Sequence, residues 1–223
     1  NELKGVQIEG DELVIGALTT YTNIIRSEDA QTHAPALIEA AKTVGALQIQ
    51  NRGTIGGNVA NASPAGDTLP VLMALNAQIE VASKANGTRI IPMNELYTGY
   101  RSLAIEKDEI ITKVRLPLLK DGEHTHYRKV GTRQAQAISK VVFGGYLRIK
   151  DNIVEEARIS FGSVAATTIR CPHAEQALTG KAVSVEAAKE LAKDITPIDD
   201  IRSTAEYRVK VAQKTLEAWL ASF

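Results

Sequence analysis

The sequence predicts an α+β protein made of two successive blocks. Three observations lead there. The first half reads as short paired strands joined by tight turns and interrupted by short helices. The second half reads as three strands followed by three helices, a sheet covered by helices on one face. A polar stretch, Pro117 to Glu123, contains Gly122 and separates the two patterns. The chain has 223 residues, enough for one large domain or two small ones with an ample core.

In chain order, Val6-Gln7-Ile8 and Leu13 to Leu18 read as strands around a Glu9-Gly10-Asp11 turn. Thr19 or Thr20 can cap a short helix through Ile25. Pro35 to Val44 places Leu37, Ile38, Ala40, Ala41 and Val44 at helical spacing, and Gly45 is a stop signal. The stretch Gln50 to Asp67 then holds Gly53, Gly56 and Gly57 within five residues, followed by Asn58, Asn61, Ser63, Pro64 and Gly66. Glycine permits positive φ and close approach, so its N–H groups can converge into an anion-binding nest. Asp67 is placed to cap a short apolar helix, Leu69 to Leu75, with Pro70 in its first turn. Such a loop at a helix start can hold phosphate. It is neither G-x-G-x-x-G nor a P-loop, and on the residues alone a plain surface turn explains it as well.

Ala77 to Ala82 and Thr88 to Ile91 read as a hairpin around Lys84 to Gly87, Pro92 to Leu96 as a short helix, and Ile110 to Leu116 as a strand ending at Pro117. The second block has strands near His126 to Val130, Lys140 to Ile149 and Ile153 to Gly162. Its helices are Cys171 to Leu178, Val185 to Ile195 and Thr204 to Leu220. In the last helix Tyr207, Val211, Thr215 and Ala218 mark one face, with Trp219 and Leu220 as core or docking residues.

Lys plus Arg and Asp plus Glu both number 26, so the net charge is zero. That argues against a nucleic-acid or membrane-surface partner drawn by charge. A single cysteine, Cys171, can form no internal disulfide and no iron–sulfur site, which fits a reducing, cytoplasmic setting. No apolar run approaches the roughly 20 residues of a membrane span. The four histidines show no metal spacing, and no Ser-His-Asp or Cys-His arrangement emerges, so neither a metal ligand nor a catalytic side chain is assigned.

The run T-I-G-G-N-V-A-N-A-S-P-A-G-D-T-L-P-V-L-M-A-L from Thr54 resembles the second FAD-binding loop of the flavoprotein subunits of molybdenum hydroxylases, the xanthine dehydrogenase and carbon monoxide dehydrogenase family. Further blocks resemble the family in the same order: Tyr97 to Arg101, Asp108 to Pro117, Tyr127 to Val141, Ser160 to Ala165 and Thr204 to Ala212. The resemblance implies the second subdomain of a PCMH/VAO-type FAD-binding domain over residues 1–118. A C-terminal flavoprotein domain with a three-stranded antiparallel sheet and helices would follow over residues 122–223. It implies that Gly53, Thr54, Ile55, Gly56, Gly57 and Asn58 line the FAD diphosphate, with Asn61 beside them. Asp67 would bond the cofactor's sugar, competing in part with its role as a helix cap. Main chain at Ile111 and Thr112 would meet the adenine end. Lys129 would stand at the pyrimidine edge of the flavin as a cation that favours the reduced ring.

Two departures stand out. No first Gly-Gly loop of the P-G-G-T-D type is found, so the chain is expected to start where the family's first subdomain ends. Gln50 also stands where relatives often carry Arg, with Arg52 as a partial substitute. The implied function is that of an FAD-carrying electron-transfer subunit. It would work with a molybdopterin-binding large subunit and a [2Fe–2S] small subunit, and reduce NAD⁺, O₂ or another acceptor. A purine such as xanthine is the substrate class expected for the complex. The rival readings are a docking scaffold that holds no FAD by itself and a binder of another nucleotide through the glycine loop.

Overall fold

The computed structural model describes residues 2 to 223. Strands β1 (Val6–Glu9) and β2 (Glu12–Gly16) form the first hairpin. Helices α1 (Tyr21–Arg26), α2 (Glu28–His33), α3 (Pro35–Lys42), α4 (Leu47–Gln50), α5 (Ile55–Asn61) and α6 (Leu69–Ala74) follow. Strands β3 (Gln78–Ser83) and β4 (Gly87–Pro92) form the second hairpin, followed by α7 (Met93–Leu96) and the small pair β5 (Tyr97–Gly99) and β6 (Ser102–Leu103). Strand β7 (Ile110–Pro117) then runs through the middle of an antiparallel five-stranded sheet of order β1-β2-β7-β3-β4.

The second sheet is built from β8 (Glu123–Val130), β9 (Val141–Lys150), β10 (Ile153–Gly162) and β11 (Ile169–Arg170), in the order β11-β10-β9-β8. The three long strands are those expected, and the two-residue β11 adds a fourth at the edge. Helix α8 (Pro172–Leu178), a 3₁₀ helix (Val185–Lys193) and α9 (Ala205–Leu220) complete the chain. The middle segment had been expected as an ordinary α-helix.

Local signals act as the sequence suggests at several points. The Thr20 hydroxyl accepts from Asn23 N at 3.3 Å and starts α1. Gly45 takes φ +53° shortly after α3. Asp151 and Asn152 carry the β9–β10 turn at φ +50° and +64°, where short polar side chains tolerate the left-handed region. Gln50 accounts for one departure from the family pattern. Its amide donates to the carbonyls of Lys42 and Val44 at 3.0 and 3.2 Å, satisfying groups at and just beyond the end of α3.

The two blocks join through α6. All six of its residues are buried. Gly144 on β9 lets it lie flat on the second sheet, because a Cβ there would sit 2.5 Å from the Pro70 carbonyl. Gly162 on β10 admits the loop before α6 and the helix start, with the Pro64 oxygen 2.8 Å and the Pro70 ring 3.3 Å from where a Cβ would stand. Gly145, next to Gly144 on β9, points to the other face, where a Cβ would overlap the Trp219 ring of α9. The C-terminal helices therefore cover one face, as expected, and α6 covers the other, which was not. His126 stacks on Trp219 and His124 meets Phe223 edge-on, so these two histidines share a face as packing residues.

The buried face of α9 is Arg208, Ala212, Leu216, Trp219 and Leu220, one position round from the expected Tyr207, Val211, Thr215 and Ala218. Burying Arg208 is possible because its guanidinium donates to the carbonyls of Lys140 and Ser163, both at 2.8 Å, and pairs with Asp200 at 2.7 Å. An apolar periodicity cannot anticipate an arginine on the core side.

Gly144→Ala is expected to lower unfolding free energy by about 1–3 kcal/mol in urea titration, because helix backbone must shift to admit the methyl. Gly99→Ala serves as the control. Its Cβ would meet nothing nearer than 3.9 Å, so it should be neutral or slightly stabilising.

Candidate functional site

Thr54 is the N-cap of α5, and its hydroxyl accepts from Gly57 N at 3.1 Å. The neighbouring donors are also engaged. Gly53 N donates to Ile49 O (2.6 Å), Ile55 N to Thr19 O (3.1 Å), Gly56 N to Ala17 O (2.9 Å) and Asn58 N to Thr54 O (3.0 Å). None of Gly53, Gly56 and Gly57 has positive φ. The expected nest of free N–H groups in a left-handed turn is therefore corrected to a helix start whose donors are spent within the chain. The glycines serve close approach instead. A Cβ on Gly56 would lie 2.7 Å from that of Ala17, so α5 could not rest on the end of β2. Gly57 is exposed, and a Cβ there would meet only the Thr54 hydroxyl.

Thr54, Gly56, Gly57 and Ile111 come together in a cleft of about 640 Å³, with Ala17, Leu18 and Arg101 also on its wall. Ile55 is fully buried in the first core, so its side chain cannot reach a ligand there. Thr112 is the extra residue of a β-bulge, between Glu80↔Lys113 and Val81↔Ile111. Its hydroxyl turns to the Glu80 carboxylate at 2.7 Å, away from the cleft, while its carbonyl accepts from Ala17 N. Asn58 Oδ1 accepts from Thr68 Oγ1 at 2.6 Å and braces the chain between α5 and α6.

A second cleft, about 510 Å³, is lined by Ser63, Ala65, Asp67, Arg101 and Gln136 among others. Arg101 lies on both walls and donates to Asn61 Oδ1 at 3.1 Å, so the two clefts meet along the exposed end of α5. Arg101 was part of a family-like block but had been given no role. Spacing does not single it out, because its position comes from where the β5–β6 turn carries it.

Asp67 does not cap α6. Thr68 occupies that position without a side-chain bond, and the Asp67 carboxylate turns to Lys129 at 2.7 Å. Lys129 also donates to Thr43 O at 3.1 Å, beside the Thr43–Tyr127 hydroxyl pair at 2.7 Å. Both members of the ion pair are largely shielded, with side chains 8% and 13% exposed for Lys129 and Asp67. Burial pushes the Asp67 carboxyl above its ordinary range, against the opposing pull of Lys129. Asp67 Oδ1 is buried and has no partner. An acceptor left bare in this way costs free energy unless a ligand donor meets it. Lys129 faces a third cleft of about 780 Å³ between α3 and β8. The predicted residues thus fall into one group at the glycine cleft and another at the Asp67–Lys129 pair, bridged by Arg101.

A family model described as the FAD binding domain in molybdopterin dehydrogenase matches residues 1–119, and one described as the CO dehydrogenase flavoprotein C-terminal domain matches residues 126–222. The chain is 33% identical to the glyceraldehyde dehydrogenase medium chain of Sulfolobus acidocaldarius, over 96% of its own length and 76% of that protein's. It is 31% identical to the xanthine dehydrogenase FAD-binding subunit of Escherichia coli O157:H7, over 95% and 74%. The structure of carbon monoxide dehydrogenase from Hydrogenophaga pseudoflava superposes with a TM-score of 0.92 at 31% identity, covering 97% of this chain and 76% of that one.

Lys129→Met would leave Asp67 buried without its counter-charge, and is expected to cost about 3–5 kcal/mol in urea titration. The double change Lys129→Met with Asp67→Leu should cost less than Lys129→Met alone. Without Lys129, the folded-state pKa of Asp67 stands further above its unfolded value. The folded form then binds the proton more tightly, so the single variant loses stability as pH rises through that range and regains it in acid.

Proposed function

Because this chain belongs to the FAD-binding medium subunits of the molybdenum hydroxylase family, we propose that the groove along α5 holds FAD and that the chain relays electrons between partner subunits and a soluble acceptor. The observation that carries the placement is the unpartnered Oδ1 of Asp67 at the groove that begins at Gly57. It is an acceptor awaiting a hydroxyl donor, such as a cofactor's sugar supplies. The exposed Gly57 leaves room for a ligand to lie against the backbone.

On this reading residues 1–118 form the FAD-binding unit and residues 122–223 the C-terminal flavoprotein unit. Thr54, Gly56 and Gly57 shape one wall, and main chain at Ile111 closes the other. Asn58 and Asn61 brace that wall through Thr68 and Arg101. Asp67 accepts from the sugar, and Lys129 holds Asp67 in place. Bound flavin supplies the redox chemistry, and the chain supplies position and electrostatics.

Cys171 is the single cysteine and is fully buried, which supports [2Fe–2S] clusters on a separate small subunit and molybdopterin on a large one. The acceptor is NAD⁺ or another small oxidant. Among the described residues no helix is long and apolar enough to cross a membrane. The named relatives act on glyceraldehyde and xanthine at similar identity, 33% and 31%, so a purine substrate is not favoured over others.

FAD titration followed by fluorescence quenching tests the placement. Saturable binding near one FAD per chain is expected. Gly57→Val should weaken it at least about tenfold, since the side chain enters the cleft, a loss of about 1.4 kcal/mol or more. A well-folded chain that binds no FAD would instead support the scaffold role.

A further inference from the structure

The charges along the groove are almost all spent within the protein. Asp67 is paired with Lys129. Glu109 on the glycine cleft is gripped by Arg89 through two bonds of 2.6 and 2.7 Å, which hold its carboxyl down to about 2. Arg202 on the second cleft is bound to Asp200 at 2.6 Å. Among the described residues lining either cleft, Arg101 is the cation left without a carboxylate.

Its placement is also unusual. Arg101 sits with Tyr100 at the tip of the β5–β6 hairpin and takes φ +52°, a region that L residues with long side chains rarely occupy. The hairpin is held in that posture from three sides. Tyr97 donates to Val59 O on α5 at 3.1 Å, the Thr98 and Ser102 hydroxyls meet at 2.8 Å, and Arg101 itself reaches Asn61 at 3.1 Å. Six other non-glycine residues among those described share positive φ, so what sets Arg101 apart is its place at the junction of two clefts.

From this we infer that Arg101 is a phosphate-binding residue of the groove, its guanidinium supplying the charge recognition beside the glycine run of α5. The inference rests on the reading of the chain as FAD-binding and adds to it the residue that meets the diphosphate. Asn61 Oδ1 takes one guanidinium N–H and orients the fork, leaving other donors for phosphate oxygens.

The test is FAD affinity at low and high salt for the full chain, for Arg101→Gly and for Arg101→Lys. Glycine suits positive φ, so Arg101→Gly should fold with an unchanged or raised thermal midpoint. At low salt Arg101→Gly is expected to weaken FAD binding about ten- to a hundredfold, the loss of a hydrogen bond to a charged group. Arg101→Lys should keep most of the affinity. The difference between the native chain and Arg101→Gly should shrink at high salt, because exposed charges are screened. Native-like FAD affinity in Arg101→Gly, or a loss that salt does not change, would overturn the inference while leaving the flavoprotein reading intact. No FAD binding by the native chain would overturn both.

Discussion

The contact on which the rest depends is the flat seating of α6 on β9 and β10. Glycine at 144 and 162 is what allows it. Five of the six buried residues of α6, all but Pro70, lie in the hydrophobic core of the first block, and Tyr146 of β9 joins that cluster from the second sheet. The two sheets are therefore bound through one short helix as well as through the chain that links them. That seating also has a chemical result. It fixes Asp67, two residues before the helix, against Lys129 on β8, 62 residues further along the chain. A core contact thus positions the most deeply placed charges of the site.

This long-range origin explains which parts of the site were legible in the sequence. Thr20 as a cap and Gly45 as a stop are settled within a few residues, and a local rule finds them. Asp67 shows the opposite case. Local rules make it a helix cap, but a buried ammonium outcompetes a first-turn N–H for its carboxylate, and that ammonium comes from another sheet. The glycine run was visible as a point of close approach. What it approaches was not, because Ala17 meets Gly56 only once β2 and α5 are packed together. Arg101 lay in a family-like block, but its freedom from a carboxylate neighbour and its place between two clefts appear only in the folded chain.

The second block was easier to read than the first. Its strands are long, and β9 is buried on both faces over seven consecutive residues, so the apolar signal is strong. In α9, Ala212, Leu216, Trp219 and Leu220 keep apolar helical spacing on the buried face, and Arg208 extends that face because three oxygens meet its guanidinium.

The ion pair at Lys129 also changes the electrostatic argument for the flavin. A lone cation about 4 Å from a developing negative charge would contribute on the order of 4 kcal/mol at an effective dielectric of about 20. Lys129 is not alone, because Asp67 lies 2.7 Å from its ammonium. A ligand that sees both charges experiences a short dipole, whose influence falls off faster with distance and depends on which end faces the ring. The pull on the flavin is then set by how far the carboxylate is neutralised. Burial favours the protonated carboxyl and Lys129 opposes it. A sugar hydroxyl donating to Oδ1 would stabilise the carboxylate further and strengthen the dipole. On the proposed placement, cofactor binding and the tuning of its electronics would meet at the Asp67–Lys129 pair rather than at a lone cation.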